Sequence, residues 1–382
     1  MSRGFREEQG LKNPDYFLVN TCTVTSGADQ KSRNIIRRCA KANPKAKVIV
    51  TGCLAEKDWG QLANIRGIGL VIKKSFFPDG ISRFSGHTRA FLKIQDGCAN
   101  FCTYCKVALV RGSQKSKKLK QVFKEAKALV ACGYREIVLT GICLGAYGRD
   151  LSPAQGLVDV IDILEGIEGL ERIRISSIEA GDVSSRLISR MGKSKKLCRH
   201  LHIPIQSGDD NILIRMNRKY TGKKYQELVA GIKRDIPGVS ITTDCLVGFP
   251  GETEENFENT LNLARKIIPL NIHIFPYSSR PGTKAAEFKD KVDPKLIRQR
   301  RVRLEKVAAE CRGKFMKSFM GKTALVLIEG ASNDDAGLLE GLTDNYLKVK
   351  LPFKPGLANM MVRAKLKNIS GGSFTGEYVD KY

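Results

Sequence analysis

Residues 90–105 read AFLKIQDGCANFCTYC, an apolar run followed at once by three cysteines. The run predicts a β-strand, and Cys98, Cys102 and Cys105 follow it on one loop, separated by three residues and then by two. Three thiolates at this spacing can hold three corners of a 4Fe-4S cluster and leave the fourth iron without a protein ligand. A structural zinc site would need a fourth Cys or His at a matching spacing, which the sequence lacks. The spacing favours a cluster with an open iron over a zinc knot or three unrelated cysteines.

The composition of the chain limits the classes of protein to which it can belong. The chain has 382 residues, of which 42% are apolar, enough for two or three domains with ordinary cores. It contains no run of 18 apolar residues, and the N-terminal MSRGFREEQG lacks the apolar segment of a secretory signal. We therefore expect a cytoplasmic protein without a membrane partner. The 11 cysteines, an odd number, then favour metal binding or catalysis over a disulfide framework.

The charge balance points to a polyanionic partner. The chain carries 65 basic and 39 acidic residues, a net charge of +26. It has a single Trp and no amphipathic N-terminal anchor, so nucleic acid is favoured over a membrane surface. The alternative is a generically basic proteome.

Residues 86–283 predict an open or incomplete barrel of parallel strands. Six strand-like apolar runs alternate with helical segments, and these runs are FLKIQ, EIVLTG, RIRISS, LHIPIQS, ITTDCLVGF and IHIFPYS. Polar residues follow each run, and the active site of such a barrel lies at the carboxyl ends of its strands. The cysteine loop follows the first run, so we expect it at the same end as the other polar strand ends.

The two flanking blocks have different patterns. Residues 1–80 contain YFLVNTC, a helical stretch, KVIVTGC and GLVIK, which predicts a βαβ unit with parallel strands. Cys22 and Cys53 each end a strand there, so neighbouring strands would bring both thiols to one sheet edge. Residues 284–318 hold 12 basic and 5 acidic residues and end as a basic helix. Residues 319–382 read as about five short strands and look like a small β-barrel, a form often used on single-stranded nucleic acid. Basic residues alternate onto one face of two of these strands, and the alternative is that these are ordinary solvated strand faces.

These motifs together resemble one known family. GCANFCTYC followed by VRG resembles the core of the radical S-adenosylmethionine methylthiotransferases. Seven further segments match that family in the same order: NTCTVT, VTGC, SSIEAGD, HIPIQSGDD, MNRKYT, TDCLVGFPGETEENF and YSSRPGT. The resemblance spans residues 16–382 and implies an α/β fold in three parts. These are an N-terminal parallel α/β sandwich (1–80), a partial (β/α)6 radical S-adenosylmethionine barrel (86–318) and a C-terminal small β-barrel of the TRAM type (319–382).

The resemblance implies two 4Fe-4S clusters and S-adenosylmethionine as cofactors. S-adenosylmethionine would bind the open iron of the cluster on the catalytic residues Cys98, Cys102 and Cys105. Its reductive cleavage would then give a radical that removes hydrogen from a substrate C–H bond. A sulfur atom associated with the second cluster would be inserted there, and a second S-adenosylmethionine would supply the methyl group. A flavodoxin-like or ferredoxin-like protein would supply electrons.

In this family three N-terminal cysteines hold the second cluster. Cys22 and Cys53 match two of them, but the 21 residues before Cys22 contain no Cys, and no further apolar strand precedes YFLVNT. We interpret this as a truncated chain or a misplaced start, with an unpaired sheet edge. Cys39 is an alternative third ligand, but it lies in a predicted helix, where a buried cysteine is the better interpretation.

The resemblance also implies cofactor-binding residues outside the cysteine loop. Tyr104 resembles the aromatic residue beside the adenine, and Ser177 and Glu179 match the region of the methionine end and ribose. Gln206 and the GFPGE loop, from Gly248 to Glu252, match the region around ribose and adenine. Each of these residues could instead be a strand-end cap or turn residue. The four histidines are scattered and show no metal-like spacing.

NTCTVT resembles the branch that methylthiolates N6-threonylcarbamoyladenosine beside the anticodon of tRNA. The alternatives are the branch that acts on isopentenyladenosine in tRNA, and an RNA-binding protein whose metal site is structural or degenerate. A third option is a radical enzyme that cleaves the cofactor without inserting sulfur. The positive charge favours RNA over a protein substrate.

Overall fold

The computed structural model describes residues 14–22, 26–65, 67–72, 86–332, 335 and 337–379. The chain forms two compact units. The first combines the described part of residues 1–79 with residues 98–113 and 278–287, and the remaining described residues form the second. Residues 1–13 and the last three residues of NTCTVT lie outside the described residues, so the expectations about them are not addressed by the structure.

The secondary-structure elements follow the predicted order. Those of the N-terminal region and cysteine loop are β1 (Tyr16–Thr21), α1 (Ser26–Ala42), β2 (Lys47–Gly52), α2 (Cys53–Ala63), β3 (Ile68–Val71), β4 (Ala90–Lys93), β5 (Gln95–Asp96) and α3 (Val107–Arg111). Those of the central region are β6 (Lys115–Ser116), α4 (Leu119–Ala131), β7 (Glu136–Thr140), α5 (Leu157–Glu165), β8 (Arg172–Ile175), α6 (Ser185–Lys193), β9 (His200–His202), α7 (Asp210–Arg215), α8 (Gly222–Asp235), β10 (Ser240–Val247), α9 (Glu254–Ile267) and β11 (Asn271–Pro276). Those of the C-terminal region are α10 (Pro294–Lys317), β12 (Thr323–Ala331), β13 (Leu338–Thr343), β14 (Lys348–Pro352), β15 (Met361–Ser370) and β16 (Ser373–Tyr378).

The first unit contains a parallel sheet in the order β1-β2-β3. Strand β1 alternates between buried and exposed residues, with Phe17 buried and Leu18 62% exposed. Strand β2 is more deeply buried, and Val48 and Val50 pack against Ile36 of α1. In the part of the chain that the structure describes, β1 therefore forms an edge of the sheet with one covered face.

Within the second unit, six parallel strands of the described chain form two adjoining sheets. One has the order β4-β7-β8 and the other β9-β10-β11. Parallel bridges between Ile173 and Leu197, and between Ser177 and His202, connect β8 to the second sheet. The intervening helices bury apolar residues such as Val122, Ile161 and Phe257 in the same core as the strands. This confirms the predicted open arrangement of βα units.

The C-terminal strands form a closed barrel in the order β12-β13-β14-β16-β15. Val349, Val362 and Ala364 are fully buried inside it, whereas Lys348 and Arg363 are exposed between them. The alternation that predicted basic outer faces is therefore confirmed. In the described residues, no helix combines the length and the apolar character needed to span a bilayer.

The C-terminal barrel covers the amino ends of the central strands. The turn between β13 and β14 accepts hydrogen bonds from Arg174 to the carbonyl oxygens of Thr343 (3.2 Å) and Asp344 (3.0 Å). Arg174 also pairs with the buried carboxylate of Glu136 at 2.7 Å. The ring of Tyr346 stacks on that of His200, with 4.6 Å between centroids. The amino end of the strands is thus covered by the C-terminal barrel.

Candidate functional site

Cys98, Cys102 and Cys105 lie half-buried on the loop between β5 and α3, in the first unit. The backbone N–H of Cys98 donates to the carbonyl of Gly112 at 3.3 Å, which closes the loop. The N–H of Cys105 donates to the carbonyl of Cys102 at 3.0 Å, so these two cysteines share one tight turn. The carbonyl of Thr103 accepts a bond from the N–H of Ala285 at 2.9 Å, which ties the loop to residues 278–287 of the same unit.

The loop has the donor set that an iron–sulfur cluster needs. The backbone N–H of Asn100 lies 3.5 Å from Cys98 Sγ, and the N–H of Val107 lies 3.4 Å from Cys105 Sγ. Such N–H···S contacts stabilise thiolates and tune cluster potentials. None of the eleven cysteines, all of which lie within the described ranges, forms a disulfide. The three thiols therefore fit the predicted cluster.

Cys22 and Cys53 lie at the carboxyl ends of two neighbouring strands in the first unit's sheet, as expected. Thr21 and Gly52 are partners in the parallel register of β1 and β2, and each cysteine follows directly. The N–H of Cys22 donates to Ser32 Oγ at 3.1 Å, which anchors it to α1. Gly52 has φ of +96°, and a Cβ there would lie 2.3 Å from the carbonyl oxygen of Thr21, so this close approach requires glycine. Cys39 is buried in α1, as its helical position predicted.

In the second unit, the predicted polar residues follow the carboxyl ends of β8 and β9. Ser177 is half-buried, and Glu179 pairs with Arg218, whose side chain is 5% exposed. Burial raises the pKa of Glu179, and the guanidinium of Arg218 opposes that rise. Arg218 is itself held by the hydroxyl of Tyr220 at 3.1 Å. The carboxylate of Glu179 is therefore fixed in place by a side chain that the sequence did not single out.

Gln206 has an unusual backbone conformation at the end of β9. Its φ is +62°, a backbone conformation that residues other than glycine and asparagine rarely adopt. Its N–H donates to the carbonyl of Asp244, and its own carbonyl accepts from the N–H of Leu246, both at 2.9 Å. Both bonds go to β10, so strand pairing holds Gln206 in this strained conformation.

The GFPGE loop after β10 is organised by a buried ion pair. Glu252 Oε2 accepts bonds from the N–H of Gly248 at 2.8 Å and from Arg300 Nη1 at 2.9 Å. Burial raises the pKa of Glu252 to about 7, although the N–H of Gly248 and the charge of Arg300 favour the ionised form. Both side chains of the pair are 1% exposed. The carboxylate of Glu252 thus fixes the conformation of the loop through its bonds to Gly248 and Arg300.

A cavity of about 1150 Å³ lies in the second unit, between the central strands and the C-terminal barrel. Three of its lining residues meet on its wall, namely His202, Asp244 and His273. Asp244 Oδ1 lies 3.2 Å from His202 Nε2 and 3.1 Å from His273 Nδ1. Burial alone would raise the pKa of Asp244, but hydrogen bonds from both histidines lower it to about 2. The scattered histidines of the sequence therefore include two that the fold brings together.

Comparison with known proteins gives a consistent result. The chain is 35% identical over 408 aligned residues to the threonylcarbamoyladenosine tRNA methylthiotransferase MtaB of Bacillus subtilis, covering 98% of this chain and 90% of that protein. The chain belongs to the radical S-adenosylmethionine methylthiotransferase family. Another member, a tRNA-2-methylthio-N6-dimethylallyladenosine synthase from Clostridium botulinum, is 33% identical, covering 98% of this chain and 91% of that protein.

The family matches cover both groups of cysteines predicted to hold clusters. Residues 92–264 of this methylthiotransferase match the radical SAM superfamily, and residues 1–72 match the uncharacterized protein family UPF0004. Among solved structures, the radical S-adenosylmethionine methyltransferase TsrM from Kitasatospora setae is similar in fold. Its TM-score is 0.51 at 15% identity, covering 72% of this chain and 66% of that one. Membership of the radical SAM superfamily implies one 4Fe-4S cluster and S-adenosylmethionine.

Some residues around the candidate site were not predicted from the sequence. Arg218 lies within MNRKYT but directly before another basic residue, and Arg300 lies among several basic residues, so neither position gives a distinctive signal on its own. His202 and Asp244 lie within motifs that were quoted, HIPIQSGDD and TDCLVGFPGETEENF, but their proximity to His273 depends on strand order. A prediction of three neighbouring parallel strands could have brought them together.

Proposed function

We propose that the chain methylthiolates N6-threonylcarbamoyladenosine next to the anticodon of tRNA. The observation that carries this proposal is the similarity, along 98% of the chain, to a B. subtilis protein named for that activity. A second candidate substrate is dimethylallyladenosine, because a synthase named for it is 33% identical over the same share of the chain. Both substrates are modified adenosines of tRNA, so both require a pocket for an extruded base.

In this proposal Cys98, Cys102 and Cys105 hold the cluster that binds S-adenosylmethionine. When bound and reduced, this pair of cofactors supplies the radical chemistry that activates the C–H bond of the substrate. The chain's own contribution is to hold the three thiolates on one loop and to direct the N–H groups of Asn100 and Val107 toward the sulfur atoms.

The remaining cofactor contacts come from the loop and from strand ends. Tyr104 is proposed to pack against the adenine, and Ser177 to contact the ribose or methionine end. Glu179 has a similar role, with its carboxylate oriented by Arg218. The side-chain amide of Gln206 and the backbone of Gly248 are proposed to lie near the ribose and adenine. Glu252 acts indirectly, because its carboxylate holds the N–H of Gly248 and the side chain of Arg300.

Cys22 and Cys53 are proposed as two ligands of a second 4Fe-4S cluster. Support comes from their adjacent positions at one sheet edge and from the match of residues 1–72 to a family region. That cluster would carry the sulfur atom that is inserted at the C–H position of the substrate. A third protein ligand is not assigned.

The partners follow from charge and chemistry. The net charge of +26 provides a salt-dependent attraction to the tRNA backbone. The exposed basic faces of β14 and β15 add to it, on a barrel of the type that binds RNA. A flavodoxin-like or ferredoxin-like protein is the proposed electron donor, and the cytoplasm, where mature tRNA is found, is the proposed compartment.

The test is mass spectrometry of tRNA nucleosides from cells that lack their own methylthiotransferases and express this chain. We expect 2-methylthio-N6-threonylcarbamoyladenosine to appear. It should be absent with Cys102→Ala and present with Cys132→Ala, which alters an exposed cysteine at the end of α4. Methylthiolated dimethylallyladenosine instead would select the second substrate.

Anaerobic reconstitution separates the enzyme from an RNA-binding protein. We expect iron and sulfide on the cysteine loop and reductive cleavage of S-adenosylmethionine. Zinc binding with no cleavage would reject the enzymatic proposal.

A further inference from the structure

The cluster formed by His202, Asp244 and His273 is built by three neighbouring parallel strands, β9, β10 and β11. Asp244 and His273 are direct partners in the register of β10 and β11. His202 is the register partner of Thr242, which precedes Asp244 by two residues on β10. Thr242 and Asp244 therefore lie on the same face of β10, toward the cavity.

The distances within the cluster match those between ligands of one metal ion. Asp244 Oδ1 lies 3.1 Å from His273 Nδ1 and 3.2 Å from His202 Nε2, and all three ligand atoms lie within 4.8 Å of one another. Imidazole nitrogen and carboxylate oxygen bind Zn²⁺ and similar ions at about 2.0–2.2 Å. Two ligands of such an ion are then separated by roughly 3.0 Å at a right angle and 3.4 Å at the tetrahedral angle. Both distances to Asp244 Oδ1 fall in this interval, and the two histidine nitrogens lie within 4.8 Å of each other.

A neighbouring hydroxyl orients one of the histidines. Thr242 Oγ1 lies 2.9 Å from His202 Nδ1, which leaves His202 Nε2 directed at Asp244. Metal-binding histidines are usually held in this way through the ring nitrogen that does not bind the metal. The other contact of Thr242 Oγ1, also at 2.9 Å, is to His200 Nε2. His200 is thereby kept out of the cluster, with its ring stacked on Tyr346.

One side of the cluster remains open. The side chain of His273 is 52% exposed, whereas those of His202 and Asp244 are 14% and 24% exposed. Three protein ligands on one side and access from the cavity on the other is the pattern of a site that keeps coordination positions for water or another oxygen ligand.

We propose that His202, Asp244 and His273 bind a divalent first-row transition ion whose remaining coordination positions face the cavity. Two imidazoles and one carboxylate suit ions such as Mn²⁺, Fe²⁺ and Zn²⁺ better than Mg²⁺ or Ca²⁺, which prefer oxygen ligands alone. This ion is distinct from the clusters on the cysteine loop and at the N-terminal sheet edge. The proposal of this metal site does not depend on which modified adenosine is the substrate.

The test is titration of the cluster-loaded enzyme with Mn²⁺ alone, followed by electron paramagnetic resonance. Mn²⁺ is the chosen probe because thiolates select softer ions, so the cysteines compete poorly for it. We expect one bound Mn²⁺ per chain and electron spin-echo modulation from directly bound imidazole nitrogen. Asp244→Asn and His202→Ala should each weaken binding at least about tenfold, and Thr242→Val should weaken it by about 10–100-fold.

The matched control is His87→Ala, which removes a histidine outside the cluster and should leave Mn²⁺ binding unchanged. If Asp244→Asn fails to fold, His273→Gln at the half-exposed position takes its place. Absence of a bound ion, absence of nitrogen modulation, or equal binding by wild type and cluster variants would overturn the proposal. The three side chains would then form a hydrogen-bonded triad without a metal.

Discussion

The two ends of the central strands differ in the residues they present and in how those residues are held. At the amino end, Glu136 and Arg174 are buried together, and Arg174 also donates to backbone carbonyls of the C-terminal barrel. At the carboxyl end, Ser177 is half-buried, and Gln206 and Gly248 have positive φ. The charged groups at the amino end are satisfied by protein, whereas Gln206 and Gly248 at the carboxyl end have left-handed backbone conformations. Under the proposed function, the difference separates residues that stabilise the fold from residues that bind the cofactor.

The largest effect is expected at the amino end. Glu136→Gln removes the carboxylate between Arg174, at 2.7 Å, and Arg172, at 3.7 Å, and leaves both guanidinium groups buried without it. We expect the free energy of unfolding to fall by about 3–5 kcal/mol, because breaking one partner of a buried ion pair leaves uncompensated charge. Denaturant titration measures this loss, and activity per folded molecule should be retained.

The matched control is Glu305→Gln, which breaks the exposed pair with Arg301 on α10. Exposed pairs of this kind contribute about 0–1 kcal/mol, so little change is expected. Equal losses for Glu136→Gln and Glu305→Gln would contradict the structural role of the amino end.

The stabilisation by Glu136 should depend on pH with a defined sign. Burial alone would raise its pKa, but Arg174 and Arg172 overcome this and lower the pKa below the ordinary value of 4.5. A carboxylate with a lowered folded pKa stabilises the protein above the unfolded pKa and loses that contribution as pH falls through the folded pKa. The difference in free energy of unfolding between wild type and Glu136→Gln should therefore be largest near pH ~7 and should decrease below pH 4.5. A gap that is constant down to pH ~3 would count against this ion pair.

Much of this architecture can be predicted from the sequence, because strands and helices each have a short, regular pattern of apolar and polar residues. The six apolar runs became β4 and β7 to β11, and the alternation in YLKVKL placed Lys348 outside and Val349 inside the C-terminal barrel. Cys22 and Cys53 could be placed at one edge because both end parallel strands. These inferences need only local periodicity and the geometry of a βαβ unit.

The contacts that orient the site depend on long-range packing instead. Arg300 reaches Glu252 from a helix that begins more than forty residues later in the chain, and Arg218 reaches Glu179 from a similar separation. Asp244 and His273 become neighbours through the pairing of β10 with β11. No local pattern encodes which of several arginines or histidines will meet a given carboxylate, so these partners emerged only from the fold.

An intermediate effect is expected from Gly248→Ala at the carboxyl end. A Cβ at this position would lie 2.3 Å from Ile297 Cγ1, and φ is +76°. We expect a loss of about 1–3 kcal/mol in stability, from overpacking and left-handed backbone strain, together with weaker binding of S-adenosylmethionine. Thermal denaturation and equilibrium dialysis measure the two effects. Gly181→Ala, where a Cβ meets nothing within 4 Å, is the control and should be neutral in both.

The smallest effect on stability is expected from Ser177→Ala, also at the carboxyl end. Ser177 is half-buried beyond β8, so its hydroxyl adds little to the folded state, and the change in stability should stay within about 0.5 kcal/mol. If the hydroxyl contacts the cofactor as proposed, its loss removes one hydrogen bond of about 0.5–1.5 kcal/mol and weakens S-adenosylmethionine binding roughly two- to tenfold. Ser185→Ala, at the exposed start of α6, should change neither quantity. Weaker binding without lower stability would be the reverse of the result expected for Glu136→Gln, and it would show that this group at the carboxyl end serves the ligand rather than the fold. A variant that loses stability and keeps its affinity would assign Ser177 to the strand end alone.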